Sequence, residues 1–375
     1  MKRLYWTNPE VFETEVEVKA IADRKVTIEP AIFHPNEGGQ PADTGTIGQV
    51  NVQNVEIIDG QIVLTLDKTI SNGKYIASVN KQHRFYTASQ HTAQHIISGI
   101  AQKQFGLETT GVHIGLERCT VDFDKKTDWH TLQKIEQQAM EVVTLNIPVE
   151  TVFNDKDVRI RSKTKEIESE TIRVVKIGDY DKSACCGAHI SSTGQIGIIR
   201  IFDTESKKKG VRIFFLAGIK ALEYSQIETS ILRELRKIAG CSSSELNSIF
   251  VKALENSKES AKEIQRLWSQ ILPDIAKSAK VIEIESTKIG IQVTDIPRQL
   301  ITKLTGMMAE NFNGAGIAVS DTNIAISSNK INANNLFKKI QDTIGGKGGG
   351  SPKAANGKLD RTVTIDELIS ILKDF

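Results

Sequence analysis

Two histidines four residues apart, His91 and His95, lie in the stretch Thr87 to Phe105. Its apolar residues Ala93, Ile96, Ile97, Ile100 and Phe105 recur at helical spacing, and it stops at Gly106. A helix projects residues four apart from one face, so both imidazoles come within reach of a single ion. One ion needs more than two donors. The run Asp179-Tyr180-Asp181-Lys182-Ser183-Ala184-Cys185-Cys186-Gly187-Ala188-His189 supplies a thiolate and an imidazole four apart, in a short turn loosened by Gly187. Three nitrogens and a sulfur suit Zn²⁺ better than Mg²⁺, Ca²⁺ or Mn²⁺. An isolated H-x-x-x-H also arises as a polar surface pair, and the accompanying C-x-x-x-H is what turns the reading toward a metal. The expected ligands are therefore His91, His95, Cys185 and His189. Four protein ligands close a tetrahedral zinc, as in structural sites, whereas a catalytic zinc keeps one position for water or substrate. The ion would have to expand its shell, lose a ligand, or serve mainly to position substrate. A zinc peptidase is a poor reading, because H-E-x-x-H needs a glutamate where this helix has Thr92, Ala93 and Gln94.

The elements that must position these residues can be read from periodicity. Residues Phe12 to Val79 alternate in short runs such as Glu15-Val16-Glu17-Val18 and Ile62-Val63-Leu64-Thr65-Leu66, broken by glycine turns, which predicts a small antiparallel β barrel or sandwich over 1–85. A helix is expected from about Arg84, and 86–217 mixes helices with strands such as Cys119 to Phe123 and Gln195 to Phe202, an α+β domain. Residues 218–280 read as a helical spacer with breaks near Gly240-Cys241 and at Pro273, and with Ser243 or Ser244 as an N-cap. Its residues Leu246, Ile249, Phe250, Leu254, Ile264, Leu267 and Ile271 recur at helical spacing: an amphipathic hairpin, with a homodimer seam as the sharper option. From 281 to 375 the pattern is a small α/β domain: strands Val281 to Glu285 and Ile289 to Val293, a helix from Pro297 to about Phe312, strands around Ile317 and Ile324, and a helix near Leu336 to Ile344. It carries one glycine cluster, Gly345-Gly346-Lys347-Gly348-Gly349-Gly350. The fold class is thus α+β multidomain.

Composition narrows the setting. A chain of 375 residues exceeds one ordinary hydrophobic core. Hydrophobic content of 39% and charged content of 25% are ordinary for a globular protein, and no run approaches the roughly 20 apolar residues of a membrane span. Met1 to Pro9 has no apolar segment behind its basic residues, so the cytoplasm is the expected compartment. Cys119, Cys185, Cys186 and Cys241 are too scattered for a disulfide framework. The net charge of +2 neither demands nor excludes a nucleic acid. The densest basic stretch, Lys207-Lys208-Lys209-Gly210-Val211-Arg212, reads either as a phosphate-facing turn or as a solvated hairpin tip.

Four blocks together resemble the editing branch of the alanyl-tRNA synthetase family, in particular the free-standing long AlaX proteins. Phe33-His34-Pro35-Asn36-Glu37-Gly38-Gly39-Gln40-Pro41-Ala42-Asp43-Thr44-Gly45 is similar to F-Y-P-x-x-G-G-Q-x-x-D-x-G, with His34 for tyrosine. Arg84 followed by His91-Thr92-Ala93-Gln94-His95 is similar to R-x6-H-T-A-x-H. Cys185-Cys186-Gly187-Ala188-His189 is similar to C-G-G-T-H, with Cys186 and Ala188 as departures. Gly345 to Pro352 with Ala354-Ala355-Asn356-Gly357 resembles the glycine-rich end of a DHHA1 domain. The resemblance implies a barrel, a zinc editing domain, a helical spacer and a DHHA1 domain. No aminoacylation domain precedes the barrel, so the expectation is a deacylase acting in trans on mischarged alanine tRNA.

Serine exceeds alanine by one hydroxyl, and a small apolar pocket rejects such an addition by only about a hundredfold. An editing site can instead offer that hydroxyl a partner that alanine would leave unsatisfied. Thr109, Thr110 and Gln94 are the candidates. Gly38, Gly39 and Gln40 are expected to wall the pocket, the glycines allowing close approach and Gln40 offering both donor and acceptor. The Gly345 to Gly350 stretch lacks the G-K-[ST] ending of a nucleotide loop, so it reads as a phosphate cradle for tRNA with Lys347 and Lys353 on phosphates, or as a flexible loop. Two rivals stand beside this reading: a non-catalytic tRNA-binding protein with structural zinc, and a deacylase of serine on threonine tRNA.

Overall fold

The computed structural model describes residues 3–154, 172–373 and 375. Contacts divide the chain into two compact units, Met1–Lys237 and Ile238–Phe375.

The first unit opens with a short helix, α1 (Leu4–Thr7), and six strands: β1 (Glu13–Ala22), β2 (Lys25–Glu29), β3 (Gly45–Ile47), β4 (Val50–Ile58), β5 (Gln61–Leu66) and β6 (Gly73–Val79). They close into a barrel in the order β1-β2-β5-β4-β3-β6, which leaves no free edge. The alternation predicted this: Val16 and Val18 point into the core while Glu15 and Glu17 face solvent. The β4–β5 hairpin turns on Asp59-Gly60, both at positive φ, the geometry that matches strand twist.

Helix α2 (Lys81–Phe105) follows directly. It begins three residues before the expected start at Arg84, because the Asn80 side chain caps it by accepting from the His83 N–H; Gly106, at φ +63°, ends it. Next come β7 (Thr109–His113), β8 (Cys119–Phe123), α3 (Trp129–Thr144), β9 (Val149–Phe153), β10 (Arg173–Ile177), β11 (Asp181–Ala184), β12 (Ile199–Ser206), β13 (Val211–Ala217) and α4 (Ile219–Ala239). The strand expected from Gln195 begins only at Ile199: Thr193–Ile196 is a 3₁₀ turn, and Gly197 at φ +79° separates the two. Strands pair as β12-β13-β8-β7 and as β11-β10-β9. Ile96, Ile97 and Ile100 of α2 share one buried cluster with Val121, Phe123, Ile213 and Phe215 of the larger sheet and Ile135, Ala139 and Val142 of α3.

In the second unit, α5 (Ser243–Lys277) precedes β14 (Lys280–Ile284), β15 (Thr287–Val293), α6 (Arg298–Asn311), β16 (Ala315–Ser320), β17 (Asn323–Ser328), α7 (Ala333–Ile344), β18 (Lys347–Gly350), β19 (Ala354–Lys358) and α8 (Ile365–Lys373). The six strands form one sheet, β14-β15-β16-β17-β19-β18, in which only β15 and β16 run parallel, joined by α6. Three expectations are corrected. Ser242, rather than Ser243 or Ser244, caps α5, in a capping box with Glu245, and Pro273 does not break the helix. An interior proline costs about 3 kcal/mol, offset here by the flanking Leu272 and Ala276, which pack with Leu304 and Met308 of α6. The glycine cluster is not a loop either: Lys347–Gly350 pairs antiparallel with β19, and the Phe337 ring occupies the space that a Cβ on Gly348 or Gly357 would need, at 2.7 and 2.4 Å. Backbone groups expected to cradle phosphate are thus on a strand, with Lys347 exposed at its start.

One ion pair ties the barrel to α2. Arg84 and Asp43 are almost completely buried, with the Arg84 Nε 2.8 Å from Asp43 Oδ1, Nη2 also on Asp43, and Nη2 donating to the Ile32 carbonyl at 2.7 Å. This joins the aspartate of the first block to the arginine of the second. Removing one partner leaves an uncompensated buried charge, which costs about 3–5 kcal/mol. Arg84→Met and Asp43→Asn are each expected to lower unfolding free energy by that order in urea titrations, and the double variant by less than the sum of the two.

Candidate metal centre

His91 and His95 come from the buried centre of α2; Cys185 and His189 come from the loop after β11. One ligand atom from each lies within 4.8 Å of every other. The Cys185 Sγ is 3.5 Å from His91 Nε2 and 3.3 Å from His189 Nε2. Bonds of about 2.0–2.3 Å in a tetrahedron put donors roughly 3.3–3.8 Å apart, so the spacing fits a metal ion.

What aims the imidazoles is a second layer of hydrogen bonds to the other ring nitrogen. His91 Nδ1 meets Gln40 Oε1 at 2.7 Å, His95 Nδ1 meets Asp181 Oδ2 at 2.7 Å, and His189 Nδ1 meets Thr92 Oγ1 at 3.0 Å. Each acceptor holds the proton on Nδ1 and leaves the Nε2 lone pair for the ion. Burial, and then the nearby Arg173 charge, push His91 down to about 3. His189 is also held well below its ordinary value, by burial first and then by His91, His95 and Arg173. Neutral imidazoles are the ligating form. Burial would raise the Cys185 thiol, but His95, Arg173 and the Gly187 N–H bring it below its usual range, favouring thiolate.

The loop is held in place from behind. Arg173 on β10 donates to the carbonyls of Cys185 and Gly187 at 3.0 and 2.7 Å, and the Trp6 Nε1 donates to the Cys186 carbonyl at 2.8 Å. Gly187 is required there: a Cβ would sit 2.2 Å from His91 Cε1 and 2.6 Å from Gln40 Oε1. Cys186 is not among the converging donors; its sulfur turns toward Gly38 of the barrel. Ala188 is fully buried within the barrel's apolar cluster, and its N–H donates to Gln40 Oε1 at 3.0 Å.

The remaining candidates separate. Gln40 is buried, its Oε1 shared by His91 and Ala188 and its Nε2 3.3 Å from Thr87 Oγ1, so its amide is spent on holding ligands. Gly38 and Gly39 form an exposed left-handed turn, and the Gly39 carbonyl accepts from the Ile114 N–H just past β7. Gln94 and Thr109 come together through Ser98, whose Oγ accepts from Gln94 Nε2 at 2.8 Å and from Thr109 Oγ1 at 2.9 Å. Thr110 does not join them; it is exposed and donates to the Asp122 carbonyl. Lys347 belongs to the second unit. Sequence reasoning missed Thr92, Asp181, Ser98 and Arg173. Helical spacing could have found Ser98, seven residues after His91 and three after His95 on the same face. Nothing in the sequence marks Arg173.

Residues 172–213 match the family described as the threonyl and alanyl tRNA synthetase second additional domain, and residues 279–375 match the DHHA1 domain. Similarity to alanine–tRNA ligases covers nearly the whole chain: 29% identity over 98% of it to the enzyme of Methanobrevibacter smithii, and 29% over 91% to that of Fervidobacterium nodosum. The chain spans under half the length of these relatives, 44% and 42%. It carries an editing-related domain and a DHHA1 domain, with homologues named alanine–tRNA ligase along its length. No helix among the described residues is long and apolar enough to cross a membrane.

Losing an outer partner of a metal ligand typically weakens binding 10–100-fold. Gln40→Ala and Asp181→Ala should each raise the zinc dissociation constant by that range in competition with a chromogenic chelator. Gly187→Ala should raise it further still, since its methyl group displaces the His91 ring.

Proposed function

We propose that this chain is a zinc-dependent aminoacyl-tRNA deacylase that removes serine, with glycine as a second substrate, from mischarged alanine tRNA in trans. The observation that carries the reading is the convergence of three tautomer-fixed imidazoles and a thiolate beside the Gln94-Ser98-Thr109 group. His91, Gln94, His95 and Ser98 form one stripe on α2, so the hydrogen-bonding group lies along the helix from the ligands. Among the described residues nothing donates to Gln94 Oε1, which leaves an acceptor for a serine hydroxyl. Alanine would leave it unmet at a cost of about 1–3 kcal/mol. Zinc supplies Lewis acidity or a hold on the substrate amine. The chain's own groups fix the ligands, shield them from water, and recognise the side chain. Gly38 and Gly39 present backbone at the exposed turn beside β7, a wall for the acceptor end. Lys347 would hold a tRNA phosphate from the DHHA1 unit. The DHHA1 match favours the alanine over the threonine system.

The decisive assay offers serine, glycine and alanine on alanine tRNA, and serine on threonine tRNA. Hydrolysis of the first, with alanine spared, supports the proposal. His95→Ala and Cys185→Ala should abolish turnover, and a folded, metal-free variant that still turned over would sink it. Ser98→Ala should lower kcat/KM about tenfold for the serine ester and leave the glycine ester unchanged.

The four-ligand count favours a second reading, a tRNA-binding protein whose metal is structural. Chelation that melts the first unit, in a holo-protein with no measurable deacylation, would decide for it. Self-association is part of the proposal: Phe250, Leu254, Ile264 and Ile271 of α5 stay exposed in the single chain. Sedimentation showing a concentration-independent monomer would remove it.

A further inference from the structure

We infer that two basic turns at the foot of α2 receive the backbone phosphates of the tRNA acceptor stem while its aminoacyl end reaches the metal centre. This rests on the deacylase reading above. The turns are Asp124-Lys125-Lys126-Thr127, after β8, and Ser206-Lys207-Lys208-Lys209-Gly210, between β12 and β13. They are far apart in sequence and pressed together in space: a Cβ on Gly210 would stand 1.8 Å from the Phe123 carbonyl oxygen and 2.9 Å from the Asp124 carbonyl carbon.

The charges there divide into two sets. Lys207 and Arg212 are both spent on one carboxylate, Asp122, at 2.8 and 2.6 Å. Asp124 accepts from the Glu108 N–H, and Glu108 from Gln102. Lys125 donates to the Gly106 carbonyl at the end of α2. Lys126, Lys208 and Lys209 are exposed and enter no ion pair among the described residues. Three unpaired ammonium groups on two abutting turns attract a polyanion rather than a single carboxylate.

Their place along α2 selects which polyanion. Gly106, which Lys125 caps, lies eleven residues past His95, roughly 16 Å at about 1.5 Å per residue. The unpaired 3′ end of a tRNA has four nucleotides, which span roughly 14 Å at about 3.4 Å each. An ester placed at His95 therefore brings the first base-paired phosphates level with the turns. Thr109 marks the route between, since it pairs with Phe123 across β7 and β8 and bonds Ser98 toward the ligands.

The test uses the full-length protein and the variant Lys126→Gln/Lys208→Gln/Lys209→Gln, with serylated alanine tRNA and a serylated CCA trinucleotide as substrates over a potassium chloride series. For the tRNA, KM should rise about tenfold at low salt with kcat unchanged. The slope of log(kcat/KM) against log salt should shrink by about two, at roughly 0.7–0.9 per phosphate. For the trinucleotide neither constant should move. An unchanged KM for tRNA, or an equal rise for both substrates, overturns the inference. Should the wild type hydrolyse neither ester, the deacylase reading fails on its own. Filter binding of uncharged tRNA then decides the surface: a weaker, less salt-dependent complex with the variant upholds it, and identical binding overturns it.

Discussion

Three buried imidazoles can serve one ion only if each is neutral and each turns the same nitrogen inward. Burial secures the first condition, because an imidazolium there would be unsolvated among like charges. The second needs an acceptor behind every ring, and the three come from different parts of the first unit: Gln40 from the barrel turn, Thr92 from α2 and Asp181 from β11. The centre is thus where the barrel, the long helix and the small sheet meet. Much of the architecture of Met1–Lys237 can be understood as what keeps those three acceptors in register.

Close backbone approach makes that meeting geometrically feasible. Gly99 lets the Tyr180 carbonyl lie against α2, where a Cβ would come within 2.3 Å of its oxygen, and so brings Asp181 to His95. Gly39 does the same for the barrel turn against Val112, and Gly187 for the ligand loop against His91. These glycines act where two backbone segments cross, and the buried Arg84–Asp43 pair ties α2 to the barrel. Departures from the resembling motifs follow the same logic. Cys186 and Ala188 flank Gly187 on the side turned to the barrel, where a small side chain packs against Gly38 or within the apolar cluster.

Selectivity would be built beside this scaffold rather than in it. The Gln94-Ser98-Thr109 group shares the helical stripe of the ligands but uses none of their hydrogen bonds. On the deacylase reading, a change there would alter which side chain is accepted and leave the ligands in place, whereas a change at Gln40, Thr92 or Asp181 would disturb the ligands first.

The sequence by itself determined what depends on local periodicity and donor chemistry. Alternation specified the barrel strands, i,i+4 spacing placed His91 and His95 on one face, and the nitrogen and sulfur donors pointed to a metal-binding cluster. Only the tertiary structure decided contacts between residues distant along the chain. It set Gln40 behind His91, parted Thr110 from the Ser98–Thr109 pair, ran α5 through Pro273, and turned the glycine cluster into a strand packed on Phe337. Arg173, 82 residues beyond His91 in the numbering yet braced on the ligand loop, left no trace in any local pattern. Spacing reveals which side chains share a face. Which polar group finds which partner is settled only when folding removes water and every buried donor must find an acceptor.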